Sequence, residues 1–246
     1  MATILIERID GVRAFFSQAE LHHLIRVRRF RAGDRFEAVT EDGRRLSCVL
    51  CQDGSDWYGS IEREQGQAHE SSLELILAPA LIKKDKFEWI LQKATELGVS
   101  EIVPTVTQRT EIRLDEGRAE KKLVRWQRIL IEAVKQCGRS HIPGIRAPQR
   151  LSDVLEQFGQ CEKIAFDEGG DVGFSEVVSE IQGSRLMVLI GPEGGWDERD
   201  RASFERAGVK RVKVGPRVLR AETAAIVALS VLQFTCGDLS GSDPVD

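Results

Sequence analysis

Two short loops hold the residues best suited to chemistry: Ile190-Gly-Pro-Glu-Gly-Gly-Trp196 and Val214-Gly-Pro-Arg-Val-Leu-Arg-Ala-Glu-Thr223. Glycine lets a ligand approach the main chain and admits positive φ, and proline stiffens the loop. Each loop follows a run that reads as a strand, 185–190 and 209–214, and precedes a helical pattern. In an open parallel sheet, ligands bind beyond the carboxyl ends of the strands. Taken singly, either loop is equally well a tight βα turn. Two of them on strands close in sequence favour a ligand site. Arg220, Glu222 and Thr223 add polar groups at the head of a nearly all-apolar helix, 221–234. That helix is too short to span a membrane, so it must be buried in a core or against a second subunit.

The residues alone do not name the ligand. G-x-x-x-x-G-K-[ST] and G-x-G-x-x-G are absent, which removes a Walker-type phosphate cradle and a Rossmann dinucleotide loop. No His/Cys/Asp set has metal-ligand spacing, and no G-x-S-x-G elbow occurs. Cys48 and Cys51 have C-x-x-C spacing, but no second pair follows. They fall on a predicted strand, where they would face opposite sides and pack as small hydrophobes. His22 and His23 read as local packing or caps more readily than as functional groups.

The elements that must position these loops fall into two blocks. Residues 3–7, 35–40, 46–51 and 57–62 are short, roughly alternating runs separated by turn signals, including the Asp42-Gly43 and Asp53-Gly54 steps. With one short helix at 18–27, they predict a small β-barrel. A polar stretch without periodicity, 64–72, reads as a linker. Beyond it, strands at 73–77, 101–104, 163–166, 185–190 and 209–214 alternate with helices at 85–97, 119–137, 151–158, 197–207 and 221–234. This predicts an α/β domain with a mainly parallel sheet. Gly98 suits the C-cap of one helix, and Asp197 with Asp200 the N-cap of another. Trp89 and Trp126 occupy helical core positions, and Trp196 stands beside the glycine loop.

The chain has 246 residues, enough for two domains, and a 41% hydrophobic, 30% charged composition that can bury a core. A net charge of −4 argues against a sequence-blind, highly basic nucleic-acid binder, but leaves room for local basic patches. Five cysteines, an odd number, with no secretory signal fit a reduced, cytoplasmic protein. No apolar run approaches membrane-spanning length, so no membrane contact is expected.

With both loops in view, the sequence resembles the RsmE family, the 16S rRNA uracil-N3 methyltransferases of the SPOUT superfamily. The match rests on Leu189-Ile-Gly-Pro-Glu-Gly-Gly195 and Val214-Gly-Pro-Arg-Val-Leu-Arg-Ala-Glu-Thr-Ala224. It is supported by KFEWILQKATELGV at 86–99, Gln136-Cys-Gly-Arg139 and His22-His-Leu-Ile-Arg-Val-Arg28. Where the family usually has Thr, this chain has Ala221, and where it usually has Leu, this chain has Arg28. The resemblance implies a PUA-like RNA-binding β-barrel over 1–70, then a trefoil-knotted SPOUT domain over 73–240 that dimerises with a second copy. It also implies S-adenosylmethionine as cofactor and a uridine of 16S rRNA, in the small ribosomal subunit, as substrate. The cofactor residues it implies are Ile190, Gly191, Pro192, Gly194, Gly195, Gly215, Val218, Leu219, Arg220 and Thr223, with a third wall at 166–168.

Arg220 and Glu222 are the catalytic candidates. Arg220 would hold the uracil oxygens or a phosphate, and Glu222 would be a base or orienting group, or simply a partner fixing Arg220. RNA contacts are expected from Arg26, Arg28, Arg29 and Arg31, and from Lys83, Lys84, Lys86, Arg109 and Arg139. The alternatives are a SPOUT enzyme acting on a ribose 2′-hydroxyl, or a non-catalytic RNA-binding assembly factor.

Overall fold

The computed structural model describes residues 4–40, 43–65, 70–111, 116–181 and 183–241. These fall into two compact units, Met1–Glu70 with Ile131–Ile142, and Ser71–Leu130 with Pro143–Asp246. The resemblance places 131–142 in the second domain, over 73–240, whereas the fold packs them with the first unit.

The first unit is built on one six-stranded sheet. Its strands are β1 (Ile4–Ile6), β2 (Arg8–Asp10), β3 (Arg13–Phe15), β4 (Arg35–Thr40), β5 (Arg45–Asp53) and β6 (Asp56–Gln65), in the order β1-β4-β5-β6-β3-β2. Among the described strands of this sheet, β1 and β4 pair in parallel and the other pairs are antiparallel. The strands that end the order, β1 and β2, are separated only by Glu7 in the chain. The sheet must therefore curl until its edges nearly meet, which makes a small, almost closed barrel. Its interior is filled by Ile4, Ile6, Ala14, Leu24, Phe36, Ala38, Leu46, Cys48 and Leu50. On β5 residues 46, 48 and 50 point inward, so Cys48 is buried and Cys51 lies half-buried on the other face. The β5–β6 hairpin turns at Gly54, whose φ of +60° only glycine adopts freely. Asp42, expected at the other Asp-Gly turn, lies outside the described residues.

The helix expected at 18–27 divides in two. Ser17 caps α1 (Gln18–His22) by accepting from the Glu20 amide at 3.2 Å. The chain then widens into a π-helical turn, His23–Val27, followed by Arg29 at φ +60°. A π turn and a left-handed non-glycine residue are both unfavourable conformations that surrounding structure must hold. They expose Arg26, Arg29 and Arg31, and leave Arg28 half-buried against the Phe30 ring. His22 and His23 are exposed.

In the second unit, β7 (Glu74–Pro79), β8 (Glu101–Ile102), β10 (Gly144–Ile145), β12 (Glu162–Phe166), β13 (Val172–Gly173), β14 (Arg185–Ile190) and β15 (Lys210–Lys213) form one parallel sheet, ordered β10-β8-β7-β14-β12-β15-β13. A two-stranded parallel ribbon pairs β9 (Thr105–Val106) with β11 (Gln149–Arg150). The helices are α2 (Lys84–Glu96), the part of α3 (Glu116–Cys137) up to Leu130, α4 (Leu151–Gln157), α5 (Phe174–Glu180), α6 (Glu198–Arg206) and α7 (Ala221–Cys236). The centre of the sheet, β7 and β14, is buried on both faces, which explains its continuous apolar runs. The short β9, β10, β11 and β13 and the helix α5 lacked enough periodicity to be read beforehand.

Gly98 follows α2 at φ +77°, and Asp197 forms a reciprocal capping box with Asp200 at the head of α6, both as expected. Trp126 is buried against Phe87 with ring centroids 4.9 Å apart. Trp89 corrects the reading: it is 43% exposed, because the buried face of α2 is carried by Phe87, Ile90, Leu91 and Ala94. The apolar helix α7 buries Ala224, Ala225, Ala228, Leu229 and Leu232. Its Gln233, fully buried, donates to the carbonyl oxygens of Leu97 and Gly98 and accepts from Ser71, which satisfies the end of α2. Val231 and Phe234 on the same helix remain exposed.

Candidate functional site

Strand order builds the site. β12 lies between β14 and β15, so the loops leaving three adjacent parallel strands meet at one end of the sheet. They enclose a cavity of about 630 Å³ lined by residues 166–168, 190–196, 212–221 and Ala224. This volume is within the range of about 300–1,000 Å³ common for small-molecule sites.

Each loop is held by a specific contact. Trp196 is 2% exposed, and its Nε1 donates to the Phe166 carbonyl at 2.7 Å, which ties the glycine loop to the end of β12. A Cβ at position 191 would stand 3.0 Å from the Trp196 indole, tighter than ordinary contact, so glycine there lets the ring lie close under the loop. Gly195 and Gly215 have φ of +70° and +59°, conformations that side chains resist. Arg109 donates through Nη1 to the Gly194 carbonyl at 2.8 Å and faces Asp197 at 3.5 Å. Asp167 anchors the third wall: it accepts from Arg201 through both oxygens, at 2.9 and 3.1 Å, and from the Gly169 amide. Burial pushes the Asp167 carboxyl up, but these hydrogen bonds and the charges of Arg201 and Arg211 outweigh it and hold the group below its ordinary value.

A charged cluster stands beside the cavity. The Lys86 ammonium pairs with Glu193 of the glycine loop and lies 3.9 Å from Glu222 at the head of α7. The hydrogen bond to Glu193 chiefly raises the Lys86 pKa. Oε2 of Glu222 is buried and accepts no hydrogen bond, an arrangement native proteins seldom leave without a use.

Residues 69–233 match the RNA methyltransferase domain family, and residues 16–50 match the RNA methyltransferase PUA domain. Ribosomal RNA small subunit methyltransferase E of Bacillus subtilis is 33% identical over 231 residues, covering 90% of each chain. The chain belongs to the ribosomal RNA small subunit methyltransferase E family. The Synechocystis protein of that name is 31% identical across 91% of this chain and 74% of its own. The crystal structure of the Neisseria gonorrhoeae member bound to S-adenosyl methionine superposes with a TM-score of 0.86 at 26% identity, covering 97% of this chain and 99% of that one.

For this RNA methyltransferase, Ile190, Gly191, Pro192, Gly194, Gly195, Gly215, Val218, Leu219 and Arg220 all line the cavity, as does the wall expected at 166–168. Thr223 corrects the reading. It is exposed and outside the lining, because the first turn of α7 points Ala221 and Ala224 inward instead. Glu222 also lies outside the lining, and its ionic partner is Lys86 rather than Arg220. Arg220 is exposed at the N-cap of α7.

Among the RNA candidates, Lys83 and Lys84 are exposed, Arg109 is committed to the glycine loop, and Lys86 to the two glutamates. Arg139 is another correction. It is buried and donates through Nε and Nη2 to Glu70, whose carboxylate also accepts from the amides of Ser140 and His141. It ties the segment 139–141 to Glu70 within the first unit. Trp196 carried a signal that sequence alone could have used further: a buried indole N–H needs an acceptor, and the nearest strand ends supply one.

Proposed function

We propose that the protein transfers a methyl group from S-adenosylmethionine to N3 of a uridine in 16S rRNA of the small ribosomal subunit. The observation that carries this is the three-loop cavity. Its Leu219, Val218, Ile190 and Phe166 offer apolar surface, and its left-handed glycines bring main-chain polar groups to the wall. That lining of apolar side chains and main-chain polar groups suits an adenosyl group. Bound there, S-adenosylmethionine supplies an electrophilic methyl group.

The chain's own residues have three tasks. The loops fix the ligand so that donor and acceptor meet in line, which is mainly a matter of positioning. Arg220, exposed at the rim, can hold the uracil oxygens and favour the anion that forms as the N3 proton leaves. Glu222 can accept that proton or orient the base, and its unpartnered Oε2 supports the role. N3 lies on the Watson–Crick edge, so the target base must be unpaired or turned out of its helix.

The rest of the reading follows the family. The barrel would bind RNA through Arg26, Arg28, Arg29 and Arg31. The exposed Val218, Val231, Phe234 and Leu239 support a homodimer through the second unit. The path of the chain from β15, beyond β12, back to α2 and β14 as α7 supports a trefoil knot. Five free cysteines suit the reducing cytoplasm, and among the described residues no helix is long and apolar enough to cross a membrane.

The test is mass spectrometry of rRNA nucleosides from a strain lacking the gene. Loss of 3-methyluridine is expected; loss of a 2′-O-methyl nucleoside instead would refute the base assignment. Calorimetry with S-adenosylmethionine checks the cofactor, and sedimentation checks the dimer.

A further inference from the structure

A second cavity, of about 680 Å³, lies on α6 and is separate in its lining from the loop cavity. Its wall carries three arginines: Arg150 from β11, and Arg199 and Arg206 two turns apart on one face of α6. All three are exposed, and none makes an ion pair with a described residue. Arg206 donates only to the Ser203 hydroxyl. Most arginines elsewhere on this unit are matched by carboxylates: Arg125 by Glu88, Arg146 by Glu101, Arg185 by Glu74 and Arg201 by Asp167. Three unmatched guanidinium groups in one concavity therefore stand out in a chain of net charge −4.

The acid within this cavity does not neutralise them. Asp200 is 3% exposed, and its two oxygens accept the amides of Gln108 and Asp197 at 3.4 and 3.1 Å. Both oxygens are thereby engaged by main-chain donors rather than by the arginines. The hydroxyls of Ser152 and Ser203 are already committed, to Asp153 and to the Arg199 carbonyl, so the guanidinium groups are the donors this wall offers. Guanidinium forks match phosphate geometry, and several on one concave surface track a phosphodiester chain rather than a single small anion.

We propose that the Arg150–Arg199–Arg206 cavity is an RNA-backbone site that holds a stretch of the substrate strand outside the methyl-transfer cavity. The site rests on the reading that this protein binds RNA. The loop at 106–108 lines it, and the next residue, Arg109, holds the Gly194 carbonyl of the glycine loop. A strand seated on the arginines is thus anchored beside the loop that shapes the methyl-transfer cavity. Such contacts position without reading sequence.

The test uses the full-length protein and a fluorescently labelled oligouridylate, with anisotropy measured over a series of salt concentrations. Replacing Arg150, Arg199 and Arg206 together by Gln is expected to weaken binding roughly tenfold or more. It should also flatten the plot of log affinity against log salt by about 2, since each phosphate contact on a single strand contributes about 0.7. Calorimetric affinity for S-adenosylmethionine should be unchanged, which reports an intact fold. Unchanged RNA affinity and salt slope in a variant that still binds the cofactor would overturn the proposal. So would a variant whose RNA binding is intact but whose sedimentation shifts, since that marks a protein interface. If the wild-type protein fails to bind the oligonucleotide, the RNA reading itself fails, an outcome distinct from either of these.

Discussion

Trp196 donates its indole N–H to the carbonyl oxygen of Phe166 at 2.7 Å, and this bond joins two loops that the chain separates by 30 residues. It fixes the floor of the cavity, since the ring also lies against Gly191 and meets Phe204 edge-on at 4.8 Å. Trp196→Phe keeps much of the packing but leaves a buried carbonyl without a partner. A loss of about 1–3 kcal/mol in chemical denaturation is expected. Weaker S-adenosylmethionine binding by calorimetry should accompany it. Trp196→Phe with wild-type stability and affinity would show that the bond does not shape the site.

Leu219 and Thr223 separate the lining from its surroundings. Leu219→Asp puts a charge on the apolar wall of the cavity and should abolish measurable cofactor binding. Thr223→Ala removes an exposed hydroxyl outside the lining and should leave binding within twofold of wild type. Isothermal titration of both variants decides the point.

Glu222→Gln retains shape and removes the charge that faces Lys86. A fall of 10²-fold or more in the single-turnover rate, of the order general base catalysis contributes, is expected with cofactor affinity preserved. An unchanged rate at neutral pH would rule out the base. Lys86→Met tests the positioning role separately: it should lower the rate less and shift the pH profile, because it frees both Glu222 and Glu193.

Asp167 links stability to pH. Its folded-state pKa lies below the ordinary 3.8, so its contribution is present above that value and is lost as pH falls through the folded value. Asp167→Asn should lower stability at neutral pH by about 2 kcal/mol, since it leaves Arg201 poorly paired. The variant should lose less further stability than wild type as pH drops below 3.8. Thermal melts across that window provide the measurement.

Arg139→Ala distinguishes a structural arginine from an RNA contact. Loss of the buried guanidinium leaves Glu70 with only the Ser140 and His141 donors, and the variant should lose about 1–3 kcal/mol of stability. A variant of wild-type stability that binds RNA more weakly would return Arg139 to the RNA surface.

The sequence by itself determined the two glycine loops, the helices whose periodicity is long and regular, and the change from alternating strands to α/β pattern near residue 70. These are local matters: period, caps and turn residues act within a few positions of one another. Only the tertiary structure decided which loops meet. The insertion of β12 between β14 and β15 brings Phe166 and Asp167 to the glycine loops, and no local pattern encodes that strand order. The same holds for charge. Arg139, Arg109 and Lys86 look like free cations along the chain, yet each finds an acceptor remote in sequence. Arg150, Arg199 and Arg206, unremarked as a group in the sequence, converge without one. The partner of a charged side chain is set by which surfaces the fold brings together, and for that reason it is visible only once the chain has folded.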